Sequence, residues 1–220
     1  LTHEFGHNYG LYHANYEHTE EELAGSYGVS GILEYGDIFD EMGAGSSPEG
    51  HFNHLAKHYL NWLPDAKVVE VSADGTYTIY RFDDALALAN DTLALKVPMS
   101  GDINYWVGYR QLYTSAEHNL ANAAYVVAEN RAQSRETSLI DMTPESQLTE
   151  VLDRKDAGLP VGSSFYDAEA GVRFTALENG GTAPNQWIRV QVTFDARIGM
   201  VQDTLEIDEQ AGVARAQVQR

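Results

Sequence analysis

The sequence predicts an α+β fold in which a helical first part, residues 1–65, precedes an all-β sandwich at residues 66–198. Residues 1–65 hold seven of the eight histidines and two patterns of helical spacing, joined by a Gly-rich connection. From Lys67 the sequence changes to short segments rich in Val, Ile, Thr, Tyr and Phe, bounded by turn-forming residues. Residues 199–220 lose this pattern and are predicted to form a short helix or a disordered linker.

The strand pattern recurs in short segments through the second part of the chain. These are KVVEV, TYTIYRF, TLALKV, YWVGYRQL, AYVVAE, SLIDM, GVRFTAL and QWIRVQVTF. Each is rich in β-branched and aromatic residues, as strands are. The SADGT sequence between the first two predicts a hairpin turn. Several short strands separated by such turns indicate a β-sandwich.

The composition argues against several classes of function. The formal net charge of −19 speaks against nucleic acid or an anionic membrane as partner, because phosphate binding needs clustered Lys and Arg. No apolar run approaches the roughly 20 residues of a membrane-spanning helix. There is no cysteine, so a transition-metal site must use His, Asp or Glu. The acidic surface also makes Ca²⁺ a candidate structural ion.

The first fifteen residues, LTHEFGHNYGLYHAN, place three histidines and a glutamate at spacings that suit one metal ion. Residues four apart on an α-helix share a face and lie about 6 Å apart along the axis. The imidazoles of His3 and His7 can therefore hold one ion between them. Glu4 follows the first of these ligands, where a general base for a metal-activated water is needed.

A third ligand requires the chain to turn back, because one helix cannot supply it with good geometry. Gly10 permits this turn, since glycine accepts a positive φ without steric cost. His13, three residues later, can then return to the ion. Three neutral nitrogens at roughly 2.0–2.1 Å and an open position for water are the arrangement of a catalytic zinc. HExxH alone arises by chance in many proteins, but the longer string HExxHxxGxxH makes coincidence a poor account.

The motif HEFGHNYGLYH resembles the signature of the metzincin zinc peptidases. EYGDIFDEMGAG resembles the Met-turn that follows in that family, with Met42 flanked by glycines that suit a tight turn. The segment EYGDIFDEMG, followed by HFNHLAKHYLNWL, resembles the gametolysin-like branch of the metzincins. The segments YWVGYRQ, SLIDMTP and GLPVGSSFYD resemble the β-domain that follows the peptidase in bacterial members. The resemblance covers most of residues 1–198.

This resemblance implies a fold, an activity and a location. Residues 1–65 would be the helical C-terminal half of a metzincin-type zincin domain, with zinc helix, Met-turn and C-terminal helix. The activity would be that of a secreted or cell-surface zinc endopeptidase, whose substrates are extracellular or cell-wall proteins and peptides. His3, His7 and His13 would bind Zn²⁺, Glu4 would be the general base, and Met42 would form an apolar floor.

The resemblance also implies that the chain is a fragment. In metzincins the strand along which the substrate lies precedes the zinc helix in sequence. We therefore expect the chain by itself to be weakly active or inactive, and the intact protein to be a protease.

Several roles around this motif remain open. Asp37 and Asp40 could orient a ligand imidazole, bind calcium or cap turns, and we favour the turns. Some metzincins have a Tyr where this chain has Ala44. Tyr12 or Tyr35 could supply that phenol, although packing is the favoured role for both.

Three further histidines, His51, His54 and His58, have the spacing i, i+3, i+7 and are predicted to share one helix face. A polar face on a packed helix is favoured over a second metal site. Glu20, Glu21 and Glu22 are predicted to begin a solvated helix.

A function of another class also remains open. The β-sandwich could be a binding or adhesion module attached to a truncated, inactive peptidase remnant. Hydrolysis of casein that depends on Glu4 would separate the two functions.

Overall fold

The computed structural model of the protein describes residues 2–18, 32–45, 50–89, 91–99, 103–112, 118–130, 135–146, 153–195, 199–200 and 218–219. Two α-helices lie within these ranges, α1 (Thr2–Asn8) and α2 (His54–Tyr59). Short 3₁₀ helices lie at Asp65–Lys67, Ala85–Ala89, Asn119–Asn122 and Pro144–Ser146. None of the described helices is long and apolar enough to span a bilayer.

Most of the regular structure is β. The strands of the described ranges are β1 (Ala14–Glu17), β2 (Ile32–Leu33), β3 (Val68–Glu70), β4 (Gly75–Tyr80), β5 (Ala94–Pro98), β6 (Ile103–Gly108), β7 (Ala123–Asn130), β8 (Thr137–Ile140), β9 (Leu159–Pro160), β10 (Ser164–Asp167), β11 (Val172–Gly180), β12 (Trp187–Phe194), β13 (Gly199–Met200) and β14 (Val218–Gln219). Each of the predicted strand segments overlaps one of these strands.

The strands form two main sheets. The larger sheet has the order β2-β1-β8-β7-β6-β5-β3, with β9 paired to β7, and the smaller has the order β10-β11-β12-β4. The pairs β1–β8 and β3–β5 are parallel. The remaining pairs are antiparallel, including the short pair β13–β14.

The larger sheet is buried on both faces. In β6, Tyr105 and Val107 point into a core shared with Phe174 of the smaller sheet. Trp106, between them, points into a second core on the opposite face, together with Leu55 of α2. Because successive side chains of a strand alternate between faces, two apolar layers require a nearly continuous apolar run, and β6 and β7 have one.

The predicted fold class is wrong. A helical half of a zincin domain was expected before an all-β sandwich, but the structure is mostly β, and its helices have only seven and six residues. Strand β1 lies in the part predicted to be helical and pairs in parallel with β8. All four residues of β1 are buried, so its backbone groups need hydrogen bonds, and β8 supplies them. The predicted domain boundary near residue 66 remains a prediction. Strands from before and after that boundary belong to the larger sheet.

The second predicted helix is shorter than the histidine spacing suggested. Asn53 is its N-cap, with its side chain accepting a hydrogen bond from the backbone N of Ala56 at 2.8 Å, so His51 lies before the helix. His54 does not lie on a polar face, because its side chain is fully buried among the rings of Phe82, Trp106 and Tyr125. The three histidines therefore do not share one exposed face.

The hairpin predicted at SADGT is also wrong. β3 pairs with β5 in the larger sheet and β4 pairs with β12 in the smaller sheet, so this turn carries the chain from one sheet to the other. Asp74 in the turn accepts a hydrogen bond from the backbone N of Phe194 at 2.8 Å. In the tail predicted at residues 199–220, the described residues are not helical, because Gly199–Met200 and Val218–Gln219 pair as β13 and β14. Residues 201–217 and the predicted helix start at residues 20–22 lie outside the described residues.

Candidate metal centre

The structure brings His3, His7 and His13 together. α1 carries the first two, and their ring centroids are 4.7 Å apart. The His13 ring lies 5.6 Å from that of His3 and 5.1 Å from that of His7. One potential ligand atom from each residue lies within 4.8 Å of the other two. The three imidazoles can thus surround a single ion.

Each of these imidazoles is hydrogen-bonded through Nδ1 to an oxygen atom of the protein. The pairs are His3 Nδ1 with the Glu41 carbonyl at 2.8 Å, His7 Nδ1 with the Leu11 carbonyl at 2.9 Å, and His13 Nδ1 with Glu34 Oε1 at 2.7 Å. A carbonyl or carboxylate oxygen only accepts, so Nδ1 must carry the hydrogen. In the neutral imidazole, Nε2 then keeps its lone pair. Histidines that bind metals almost always have such an outer partner, which sets the tautomer and the ring orientation.

Gly10 makes the turn that returns His13 to α1. Its φ is 82°, the left-handed conformation that the motif required, and its N donates to the His7 carbonyl at 2.8 Å. Arg135 covers the turn, because its Nη1 donates to the Tyr9 carbonyl at 3.1 Å. A β-carbon on Gly10 would collide with that guanidinium. The guanidinium is the end of a flexible side chain and could move aside, so it is the positive φ that favours glycine here.

Met42 lies directly beneath α1. Its side chain is 2% exposed and packs with Leu11, Ala14, Phe52 and Ala56. A β-carbon on Gly6 would overlap the Met42 sulfur. Because glycine has no side chain, α1 can pack directly against Met42. The Met42 carbonyl accepts from the backbone N of Ala14 at 2.9 Å, which ties the turn to the start of β1.

Two buried carboxylates hold the turn around Met42. Asp40 accepts hydrogen bonds from the backbone N of Met42 at 2.6 Å and from that of Asn53 at 2.5 Å. Asp37 accepts from the backbone N of Phe39 at 2.9 Å and from the Tyr125 hydroxyl. Burial raises the pKa of both carboxyl groups. The sequence left three roles open for Asp37 and Asp40: orienting a ligand imidazole, binding calcium or capping turns. The observed contacts are those of residues that cap turns.

Two groups beside the histidines can take part in chemistry. Glu4 follows His3 on α1 and is exposed; its carboxylate makes no hydrogen bond or ion pair within the described part of the chain. The Tyr35 ring centroid lies 3.8 Å from that of His13 and 5.8 Å from that of His3. Tyr12, the other phenol considered, is 64% exposed. Of these two tyrosines, Tyr35 is the one in ring contact with the centre.

A pocket of about 370 Å³ lies between the start of α1, the segment before α2 and the residues after β4. Its lining includes Thr2, which precedes His3 in the chain, and Glu41, whose carbonyl is hydrogen-bonded to His3 Nδ1. Phe52, Leu63 and Phe82 supply apolar wall. His3, His7 and His13 are not among its lining residues, so the pocket is linked to the centre only through Thr2 and Glu41.

Glu34 is a residue of the centre that the sequence reasoning missed. It lies 21 positions from His13, and β2, which precedes it, pairs antiparallel with β1 in the register Tyr16↔Leu33. That pairing returns Glu34 to the beginning of β1. A two-residue strand carries too weak a pattern to predict, so only the structure reveals the contact.

Comparison with protein-family models, with curated proteins and with solved structures finds no match to the chain. The interpretation of the centre therefore depends on its own geometry and on its motif.

Proposed function

We propose that this chain carries the metal-binding part of a zinc-dependent endopeptidase of the metzincin type, similar to the gametolysin-like branch. The substrates would be extracellular or cell-wall proteins, and the protein would act outside the cell or at its surface. The observation that carries the proposal is the convergence of three imidazoles, each with its Nδ1 hydrogen bonded to an oxygen of the protein.

The donor set fits Zn²⁺. Three neutral imidazoles are the protein ligands of one well-known type of catalytic zinc site, and they leave a fourth position for water or substrate. Because neutral ligands do not cancel the charge of the ion, zinc bound here would act as a Lewis acid and lower the pKa of a bound water towards about 7. His3, His7 and His13 would be its ligands.

The remaining groups have roles that their positions support. Glu4 is exposed next to a ligand, so its carboxylate can take a proton from the attacking water and deliver it to the leaving amine. The Tyr35 hydroxyl is a candidate hydrogen-bond donor to the scissile carbonyl, since its ring packs on His13. Met42 provides the apolar floor and takes no part in proton transfer.

The test uses the full-length protein that contains these residues, with casein as substrate and zinc content as the second readout. Glu4→Gln should keep the zinc and reduce hydrolysis by about 10²–10⁴-fold, the contribution typical of a general base. His3→Ala combined with His7→Ala should lose both the zinc of this centre and the activity. Glu70→Gln, at another exposed glutamate, is the matched control and should change neither.

Two outcomes would refute the proposal. Casein cleavage that survives Glu4→Gln would remove Glu4 from the chemistry. Zinc binding without any cleavage by the wild-type protein would instead support the alternative, a binding or adhesion protein with an inactive metal centre.

A further inference from the structure

A second group of metal-ligating side chains lies at one edge of the larger sheet. β1 and β8 are parallel neighbours in the register Glu17↔Ile140, so the residues that follow them, His18 and Asp141, lie side by side. Asp153 reaches the same place from a later part of the chain. His18 Nδ1 lies 3.1 Å from Asp141 Oδ2 and 3.1 Å from Asp153 Oδ2. One potential ligand atom from each residue lies within 4.8 Å of the others.

These separations suit a small cation. Ligand atoms at about 2.0–2.1 Å from a tetrahedral zinc are about 3.3–3.4 Å from one another, by the geometry of the tetrahedron. The imidazole nitrogen is therefore almost at the distance from each carboxylate oxygen that a bound ion would require. The candidate ligand atoms of the two carboxylates lie within 4.8 Å of each other.

Outer hydrogen bonds fix the two carboxylates, as they do at a metal site. Asp141 Oδ1 accepts from the backbone N of Thr143 at 2.8 Å, which leaves Oδ2 directed towards His18. Asp153 Oδ1 accepts from Ser146 Oγ at 3.3 Å, and Oδ2 accepts from the Tyr16 hydroxyl at 2.5 Å. A carboxylate oxygen has two lone pairs, so Asp153 Oδ2 can keep this bond and still bind an ion.

Burial creates a need for positive charge at this place. The side chains of Asp141 and Asp153 are 0% and 7% exposed, whereas that of His18 is 38% exposed. Paired carboxylates out of water are costly without a cation between them. The partly exposed imidazole leaves a route for an ion from solvent.

A protonated His18 could also bridge the two carboxylates, and these three side chains would then carry a net charge of −1. A divalent cation in place of the proton makes the group neutral. The imidazole nitrogen sets the class of the ion, because nitrogen ligands suit first-row transition metals, whereas Ca²⁺ takes six to eight oxygen ligands.

We propose that His18, Asp141 and Asp153 bind a divalent transition-metal ion, represented by Zn²⁺, at a second site separate from the three-histidine centre. The ion joins the end of β1 to the end of β8 and to the segment around Asp153, and its role is structural. This assignment does not depend on the peptidase proposal, since it uses other residues and another readout.

The experiment is performed on the chain with His3, His7 and His13 all replaced by Ala, after EDTA treatment and dialysis against Zn²⁺. This variant should retain one zinc per chain. Zinc at a hundredfold excess over its Kd should raise Tm by about 5–10 °C. Asp141→Asn combined with Asp153→Asn should abolish both effects, and Asp65→Asn, at a carboxylate 97% exposed, should abolish neither.

His18→Gln provides a second variant in case the buried substitutions prevent folding. His18 is at the exposed rim of the group, and its loss should still remove the zinc-dependent rise in Tm. Absence of zinc from the triple alanine variant would overturn the proposal, as would zinc retained after all three substitutions at the second group. A rise in Tm with Ca²⁺ but not with Zn²⁺ would overturn the assignment of metal class.

Discussion

His13 Nδ1 donates a hydrogen bond to Glu34 Oε1 at 2.7 Å, across 21 positions of sequence. The other two imidazoles of the centre donate to backbone carbonyls, so this is the partner that a side-chain substitution can remove. Because the carboxylate orients the imidazole and raises its basicity, its loss should weaken metal binding.

We expect Glu34→Ala to lower the zinc affinity of the three-histidine centre about tenfold. Competition with a chromophoric chelator measures this, in a background with both Asp141→Asn and Asp153→Asn so that one centre is titrated. Glu34→Gln is the control, since its amide oxygen can still accept the hydrogen bond and should preserve most of the affinity. Equal affinity of Glu34→Ala and the wild type would show that the contact does not orient His13.

Gly6→Ala should destabilise the protein, although alanine normally favours a helix. The added β-carbon would overlap the Met42 sulfur and lie 3.3 Å from Phe52 Cε1, and overpacking of this kind costs about 1–3 kcal/mol. Urea unfolding measures the change. In a Met42→Ala background the same substitution should cost much less, because the obstacle is gone. A stabilising Gly6→Ala in the wild-type background would contradict the packing described above.

Arg110→Met should cost about 1.5–3 kcal/mol of unfolding free energy, the usual worth of a buried hydrogen bond that involves a charged group. The Arg110 side chain is fully buried, donates to the Phe39 carbonyl at 2.7 Å, and opposes the rise in pKa of Asp37 and Asp40. Arg189→Met, at a half-exposed arginine, should change stability by less than about 1 kcal/mol. Similar losses of unfolding free energy in the two variants would show that the buried Arg110 stabilises the fold no more than an exposed arginine does.

The stability of the protein should fall at acid pH in a way that depends on His54. Burial lowers the pKa of this imidazole from 6.5 to about 3. Below pH 6.5 the unfolded chain therefore binds a proton that the folded chain does not bind. The stability contributed by the neutral His54 imidazole is therefore complete above pH 6.5. It is lost as the pH falls towards 3, by about 1.4 kcal/mol of unfolding free energy per pH unit.

Urea unfolding at pH 7.5 and 4.5, in EDTA, tests this effect without interference from metal release. His54→Gln should lower stability at pH 7.5 but should lose about 2–3 kcal/mol less than the wild type between the two pH values. His58→Gln, on the same helix but only partly buried, is the control. An equal pH dependence of wild type and His54→Gln would rule out the neutral buried imidazole.

Short-range features could be predicted from the sequence because they depend on neighbouring residues. The motif from His3 to His13 contains its own turn, and Gly10 has the positive φ that the spacing required. The strand segments of the larger sheet were recognisable because that sheet is buried on both faces and its strands are rich in apolar residues. Whether the three histidines bind zinc, and whether Glu4 is a general base, remain predictions.

Long-range features could not be predicted in the same way. β1 has the sequence ANYE, four residues with no clear apolar alternation, and its partner β8 begins at Thr137. The histidine spacing at residues 51–58 resembled one face of a long helix, yet the Asn53 cap starts the helix after His51 and the core encloses His54. Capping and burial depend on the folded surroundings, so spacing alone was misleading.

The position of β1 limits how the length of this chain can vary. His13 immediately precedes the strand and His18 immediately follows it, while every residue between them is buried and held in register with β8. Insertion or deletion of one residue within Ala14–Glu17 would turn part of the strand over, because successive side chains face opposite sides. Either His13 would then move away from His3 and His7, or His18 would move away from Asp141 and Asp153. Related proteins with both groups should therefore have the same number of residues between these histidines, while loops elsewhere can differ in length.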